Sequence, residues 1–369
     1  MSDFQLAQAF PPGEFLKDEL EERGWTQSDL AEIMGRHVSV VNEILLGKRG
    51  LTPDTARALA DALGGSAQFW LNLESIYRLW LLPKDDTVSR RAKLYATAPV
   101  REMIRRGWIT ASPSLDVLEQ EVFDFMGDEE STFAHAARKS TSYDEPVTSA
   151  QRAWLCRARQ LAPAVQVTQP FSRDKMPELV GQLRGLAEAP ENVAHVPRIL
   201  AGYGIRFLMI EALAGTKIDG ASFWMDSIPV IVLSLRFDRI DHFWHTLMHE
   251  VAHIWFADGT VLDQDIVNGR PVDNDEIEQR ADGFAAASLI PREHLHDFVV
   301  RIRPLFSAVR IQNFARTMQV HAGIVVGQLQ HMHEIGYQNL RRMLVPVRDI
   351  ITRTALTDGW GSQLPNSFT

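Results

Sequence analysis

The chain has one cysteine, Cys156. That excludes a disulfide framework and any zinc site built on thiolates, and it points to a reducing compartment, with Cys156 itself an inert buried thiol. Long apolar runs are missing too. The most apolar stretches, such as residues 228–235, fall far short of the roughly 20 residues that cross a bilayer. Residues 1–12 lack a basic stretch followed by an apolar run and a small-residue cleavage site. The expectation is a cytoplasmic protein that makes no membrane contact. Nor is there an excess of positive charge: the formal net charge is −9, which argues against sequence-independent coating of nucleic acid and requires any DNA contact to be local. Internal repeats and low-complexity tracts are absent.

What is present is ordinary globular composition, 45% apolar and 23% charged, which rules out disordered, collagen-like and purely coiled-coil chains. With 369 residues, one hydrophobic core is too few, since domains mostly run roughly 100–200 residues. Turn and breaker residues suggest four regions. Residues 13–80 read as short helices. Residues 81–150 read as a polar helical connecting region, interrupted by Pro83, Pro99, Pro113 and Pro146. Residues 151–300 mix helices with β-rich runs at 205–210 and 228–235, separated by Gly215, Asp219-Gly220 and Pro229. Residues 301–369 return to helices, with a frayed end. The expected fold class is multidomain α+β: an all-α N-terminal domain, a helical connection, and an α+β domain with a helical extension.

In the first region, Thr26 with Asp29 three residues later, and Thr52 before Pro53, are helix-start signals, while Gly35, Gly47 and Gly64 stand where helices end. Leu30, Ala31, Met34, Val38, Val41, Ile44, Leu45, Leu51, Leu59 and Leu63 keep helical spacing across these short helices. Ala31 is small where helices cross, and Gly35 permits a tight turn before a helix over 38–46. This is helix-turn-helix patterning, in which the second helix enters the major groove. Its outward residues Ser39, Asn42 and Glu43 are candidates to face base edges, flanked by Arg36, His37, Lys48 and Arg49. Residues 13–72 hold ten acidic and six basic residues, but the acids cluster in the first helix and three of the bases bracket the recognition helix. That asymmetry suits phosphate contact. A helical protein-interaction module would share the hydrophobic pattern.

Gly24-Trp25-Thr26-Gln27, the run Asn42-Glu43-Ile44-Leu45-Leu46-Gly47-Lys48-Arg49, Thr52-Pro53 and Phe69-Trp70-Leu71-Asn72-Leu73 together resemble the XRE-type DNA-binding domain of HigA-type antitoxins. The resemblance implies a homodimer on a double-stranded, palindromic operator, often autoregulatory, with base contacts from residues such as Ser39 and Asn42.

The second constellation is His249-Glu250-Val251-Ala252-His253 on an apolar helical stretch. Positions i and i+4 of a helix share a face, so both imidazoles reach one ion while Glu250 points at the attacking water. A catalytic zinc site needs three protein ligands and an open position. The metzincin pattern is excluded, because Phe256 stands where it requires glycine. The predicted helix over 274–289 offers Asp275, Glu276, Glu278 and Asp282. Glu278 and Asp282 are i and i+4, so one can bind metal while the other holds a ligand imidazole; Glu276 competes with Glu278 for the third position. His294 with His296, and His331 with His333, are i and i+2 and share no helical face.

This motif, with Glu278-x-x-Ala281-Asp282-x-Phe284-Ala285-Ala286, Leu289-Ile290-Pro291 and the upstream Gly220-Ala221-Ser222-Phe223-Trp224, resembles the ImmA/IrrE metallopeptidases. The resemblance implies His249, His253 and Glu278 as zinc ligands, Glu250 as general base, and a repressor-like protein as substrate. Asp282 stands where the family commonly has asparagine, which preserves a hydrogen-bonding group.

Zinc bound by such ligands acidifies water toward a pKa of about 7, and Glu250 takes its proton. Manganese is the competing ion. Residues 220–224 form either an extended edge to which a substrate strand adds, with Ala221 and Phe223 as its candidate residues, or an ordinary hairpin strand. The sequence thus describes a DNA-binding regulator with one zinc per chain that cleaves a partner regulator or itself. The competing readings are an autoregulatory antitoxin or repressor whose zincin-like half only binds metal or a partner such as a cognate toxin, and a protease acting independently of DNA.

Overall fold

The computed structural model describes residues 9–83, 85–127, 136–139, 148–257 and 274–361. Contacts divide the chain into two compact units, Met1–Val88 and Ser89–Thr369.

The first unit holds α1 (Pro12–Arg23), α2 (Gln27–Ile33), α3 (Val38–Leu45), α4 (Pro53–Leu63) and α5 (Ala67–Leu81). The start of α2 is a reciprocal cap: Thr26 Oγ1 accepts from the Asp29 N–H at 3.2 Å, and Asp29 Oδ2 accepts from the Thr26 N–H at 2.7 Å. Thr52 caps α4 through the Thr55 N–H, with Pro53 following. Leu16, Leu20, Leu30, Ala31, Val41, Ile44, Leu59 and Trp70 form the core. Gly13 lies so close to the end of α3 that a Cβ there would sit 2.4 Å from the Ile44 carbonyl oxygen, so only glycine permits this approach. Val38, expected in the core, is 40% exposed. It opens α3, where the first turn faces outward beside the capping residue His37.

The second unit contains α6 (Thr87–Thr97), which begins at its boundary, then α7 (Val100–Arg105), α8 (Leu115–Met126), β1 (Ala136–Lys139), α9 (Ser149–Leu161), α10 (Met176–Leu186), α11 (Val196–Gly202), β2 (Arg206–Ile210), β3 (Ile218–Met225), β4 (Ile228–Leu233), α12 (Ile240–Phe256), α13 (Asn274–Leu289), α14 (Arg292–Ile302), α15 (Ala308–Met318), α16 (Ala322–His331), α17 (Arg348–Ile351) and β5 (Leu356–Asp358). The strands form one sheet in the order β1-β3-β4-β2-β5. β3 and β4 are an antiparallel hairpin, closed by Asp226 and Ser227 at φ 52° and 64°. β2 is parallel to both β4 and β5.

Helices cover both faces, which explains why the β-rich runs are continuously apolar rather than alternating. Phe207, Met209, Ile231 and Leu233 face a core shared with α10 to α17. Leu208, Ile210, Val230 and Val232 face a second core shared with α6 to α9. Cys156 is in this second core, and burial pushes its thiol up to about 12, so it is an inert thiol at physiological pH. Among the described residues no helix is long and apolar enough to cross a membrane.

Two of the four expected regions differ in role from their sequence description. Leu94, Met103, Trp108, Leu118, Val122 and Phe125, from the expected connection at 81–150, build the second core. Ile311, Phe314, Ile324 and Ile351, from the expected extension after 300, are in the first core. The reason is physical: a sheet between two helical layers needs a helical cover on each face, and the chain supplies these covers from segments on either side of the central α+β stretch. The end of the expected frayed tail, residues 362–369, lies outside the described residues.

Candidate metal centre and recognition helix

The face of α12 that carries the motif is fully interior, with His249, Glu250 and His253 all buried. His249 and His253, one helical turn apart, meet edge to face, and their Nε2 atoms are 2.9 Å from each other. From α13, the buried Glu278 reaches the same point: its Oε2 is 3.0 Å from His249 Nε2 and its Oε1 is 3.5 Å from His253 Nε2. One ligand atom from each of the three lies within 4.8 Å of the others. Glu276, the competing acid, is exposed and is not part of this group. The side chain of Asp275 lies outside the described residues.

Asp282 is one turn beyond Glu278, and its Oδ1 is 2.9 Å from His249 Nδ1. With that N–H donated to the carboxylate, His249 Nε2 directs its lone pair at the centre. The two imidazole nitrogens and the Glu278 carboxylate turn their ligand atoms toward one point, 2.9 to 3.5 Å from one another. Both carboxylate oxygens of Glu250 are buried without a hydrogen-bond donor. A divalent cation satisfies that arrangement, and a two-imidazole, one-carboxylate donor set is a familiar one for zinc.

Electrostatics separate the two acids. Burial drives the Glu278 carboxyl upward, but bonds and charge from His249 and His253 outweigh it and bring it down to about 2. Burial dominates at Glu250 and raises it above the ordinary carboxylate range, against the pull of His249, His253 and Ser222. Ser222 lies beside Glu250 without a hydrogen bond of good geometry.

In the sequence, Gly220 and Ser222 stand only within the upstream motif, whose candidate edge residues are Ala221 and Phe223. A strand alternates its faces, and in β3 Ala221 and Phe223 are buried in the core on the α9 side. Gly220 and Ser222 therefore lie on the α12 side. A Cβ on Gly220 would sit 2.9 Å from Glu250 Oε1 and 3.0 Å from Thr246 Cγ2. The period-2 pattern was readable in the sequence, but not which face carried the metal motif. His294, His296, His331 and His333 are exposed and stand apart from the cluster.

In the first unit, Ser39 and Asn42 are exposed on α3, between the exposed Val38 and Leu46. His37 caps α3, with its Nδ1 2.8 Å from Ser39 Oγ. Glu43 is partly buried and bonds Arg49, Nε to Oε2, at 2.7 Å. Arg36 and Lys48 are exposed at either end of α3. Ser39 and Asn42 are thus presented outward, while His37, Glu43 and Arg49 also hold the helix and its following turn.

Residues 16–70 match a family model described as helix-turn-helix, and residues 203–325 match one described as an IrrE N-terminal-like domain, a peptidase family. The virulence-associated protein I of Dichelobacter nodosus is 40% identical over 78 residues, 21% of this chain and 72% of that protein. Antitoxin HigA-1 of Vibrio cholerae is 45% identical over 69 residues, 18% of this chain and 65% of that protein. A Pseudomonas aeruginosa protein solved in complex with its operator DNA shares 38% identity with a TM-score of 0.20, covering 20% of this chain and 80% of that one. The chain therefore belongs to the XRE-type helix-turn-helix family through its N-terminal domain, with HigA-like relatives, and carries an IrrE N-terminal-like peptidase-family domain C-terminal to it.

Proposed function

We propose that the protein is a cytoplasmic DNA-binding regulator whose second unit is a metal-dependent endopeptidase, cleaving a peptide bond in a partner regulator or in the chain itself. The observation that carries this reading is the buried cluster of His249, His253 and Glu278, three ligand atoms within 4.8 Å, with the buried carboxylate of Glu250 beside it. Zinc is the expected ion, one per chain, and manganese its competitor. When bound, the ion supplies Lewis acidity toward water and a peptide carbonyl.

The chain's own residues do the rest. Asp282 fixes the ring orientation of His249. Glu250 removes a proton from the attacking water and delivers it to the departing amine. The experiment that tests this role is the Glu250→Gln variant considered in the Discussion.

On the DNA side, Ser39 and Asn42 read base edges, and Arg36, Lys48 and Arg49 contact phosphate, with His37 and Glu43 at the margins of the same surface. A homodimer on a palindromic operator is what the resemblance to HigA-type antitoxins implies. The double substitution of Lys48 and Arg49 by alanine is expected to weaken binding to promoter DNA of the protein's own gene and to flatten the salt dependence by about 1–2 in the log–log slope. Unchanged affinity and slope would identify the domain as a protein-interaction module instead. The relationship to an antitoxin favours one second reading, an autoregulatory antitoxin or repressor whose zincin-like half only binds metal or a protein partner such as a toxin.

A further inference from the structure

β3 is the strand that passes the catalytic glutamate. Gly220 and Ser222 border Glu250, and no other residue type fits at Gly220 without meeting Glu250 Oε1. One edge of β3 is paired with β4 along six positions. The other edge is the side on which an extended peptide could run past the metal centre by main-chain pairing. That edge is already taken by a segment of the same chain. β1 lies antiparallel on it, with Ala136 opposite Ser222, Ala137 opposite Ala221 and Lys139 opposite Ile218.

We propose that residues 136–139 are an internal occupant of the peptide-binding edge, so that a partner peptide binds in the same antiparallel direction only by displacing them. This rests on the reading of the centre as a peptide-processing site. Three features support it. β1 ends the sheet, so nothing in the strand order depends on it. It is four residues long, and its register shifts between Ala137 and Lys139, whereas β4 pairs without interruption. The paired stretch of β3, from 218 to 222, is also the stretch that contains both neighbours of Glu250. An occupant on the same chain competes at an effective concentration on the order of millimolar, enough to exclude weak peptides while leaving the edge open to a better-matched strand.

The test uses the full chain with Glu250→Gln, so that binding is read without hydrolysis, and a fluorescein-labelled synthetic peptide spanning residues 132–143. In the variant Ala137→Pro with Lys139→Pro, proline removes the ladder donors of β1. A second variant replaces 136–139 by Gly-Ser-Gly-Ser. Both are expected to bind the peptide at least about 10-fold more tightly than the chain with intact β1. Hydrogen exchange at the amides of residues 218–222 should be faster in both variants, and added peptide should slow it again. Equal affinity in all three proteins, or no binding by the two opened variants, overturns the proposal. If the opened edge binds peptide but the chain with Glu250 restored hydrolyses nothing, the occupant stands and the peptidase reading falls. If hydrolysis of proteins proceeds while the opened edge binds no peptide, the reverse holds.

Discussion

Replacing Glu250 with glutamine is expected to lower peptide hydrolysis by about 10²–10⁴-fold, the usual contribution of a general base, while metal content and thermal stability are kept. The separation of these effects comes from the geometry. His249, His253 and Glu278 supply the three clustered ligand atoms, and Glu250 is not among them. The Glu250 carboxylate is fully buried with neither oxygen accepting a hydrogen bond, so an amide of the same shape removes an unfavourable buried charge rather than a stabilising contact. The measurement is the profile of new N-termini produced from a mixture of denatured proteins, read by mass spectrometry for wild type and variant, beside elemental analysis of both. Equal cleavage by both proteins would remove Glu250 from the chemistry.

The second large effect is structural. Asp358, at the end of β5, accepts from Trp108 Nε1 at 3.1 Å and from Arg157 Nε of α9, and both members of the ion pair are buried. Asp358→Ala takes from the buried Arg157 guanidinium its carboxylate partner on β5. Breaking a buried pair from one side costs about 3–5 kcal/mol, which for a unit of this size lowers Tm on the order of 10 °C. Combining Arg157→Met with Asp358→Leu should recover most of that loss, because apolar residues of similar volume replace a buried pair at little cost. Thermal unfolding of Asp358→Ala and the double variant checks both halves of the expectation. A double variant no better than Asp358→Ala would show that the ion pair itself, rather than the loss of one partner for a buried charge, holds β5 in place.

The parts of this fold that were legible in the sequence are those written within a few residues. Thr26 with Asp29, Thr52 before Pro53 and the left-handed Gly47 announce helix ends by local chemistry. The motif from His249 to His253 needs only the pitch of one helix to become half a metal site. Glu278 and Asp282 required one further step, that α13 packs on α12, and their i, i+4 spacing then gave each a partner around His249.

What stayed hidden depends on distant pairing. Asp358 and Arg157 are 201 positions apart, and the three residues of β5 are too few to show a strand period. β1 contains two alanines and two basic residues, with no β-branched or aromatic side chain to mark it as a strand. Ser222 was concealed for another reason: alternation along β3 divides Ala221 and Phe223 from Gly220 and Ser222, but the face that meets α12 is decided only when the helix docks. Val38 shows the complementary case, an apolar residue in helical register that nonetheless faces outward on α3, as a surface offered to a partner would.

The most direct measurement is the metal content of the purified full chain, prepared without chelator, by elemental mass spectrometry, beside the His249→Ala and Glu278→Ala variants and a Glu276→Ala control. About one zinc or manganese per chain is expected in wild type and in Glu276→Ala, with loss from the other two. A wild-type protein that carries no divalent ion and takes none up from added zinc, or a Glu276→Ala variant that loses metal while Glu278→Ala keeps it, would contradict the assignment of the centre.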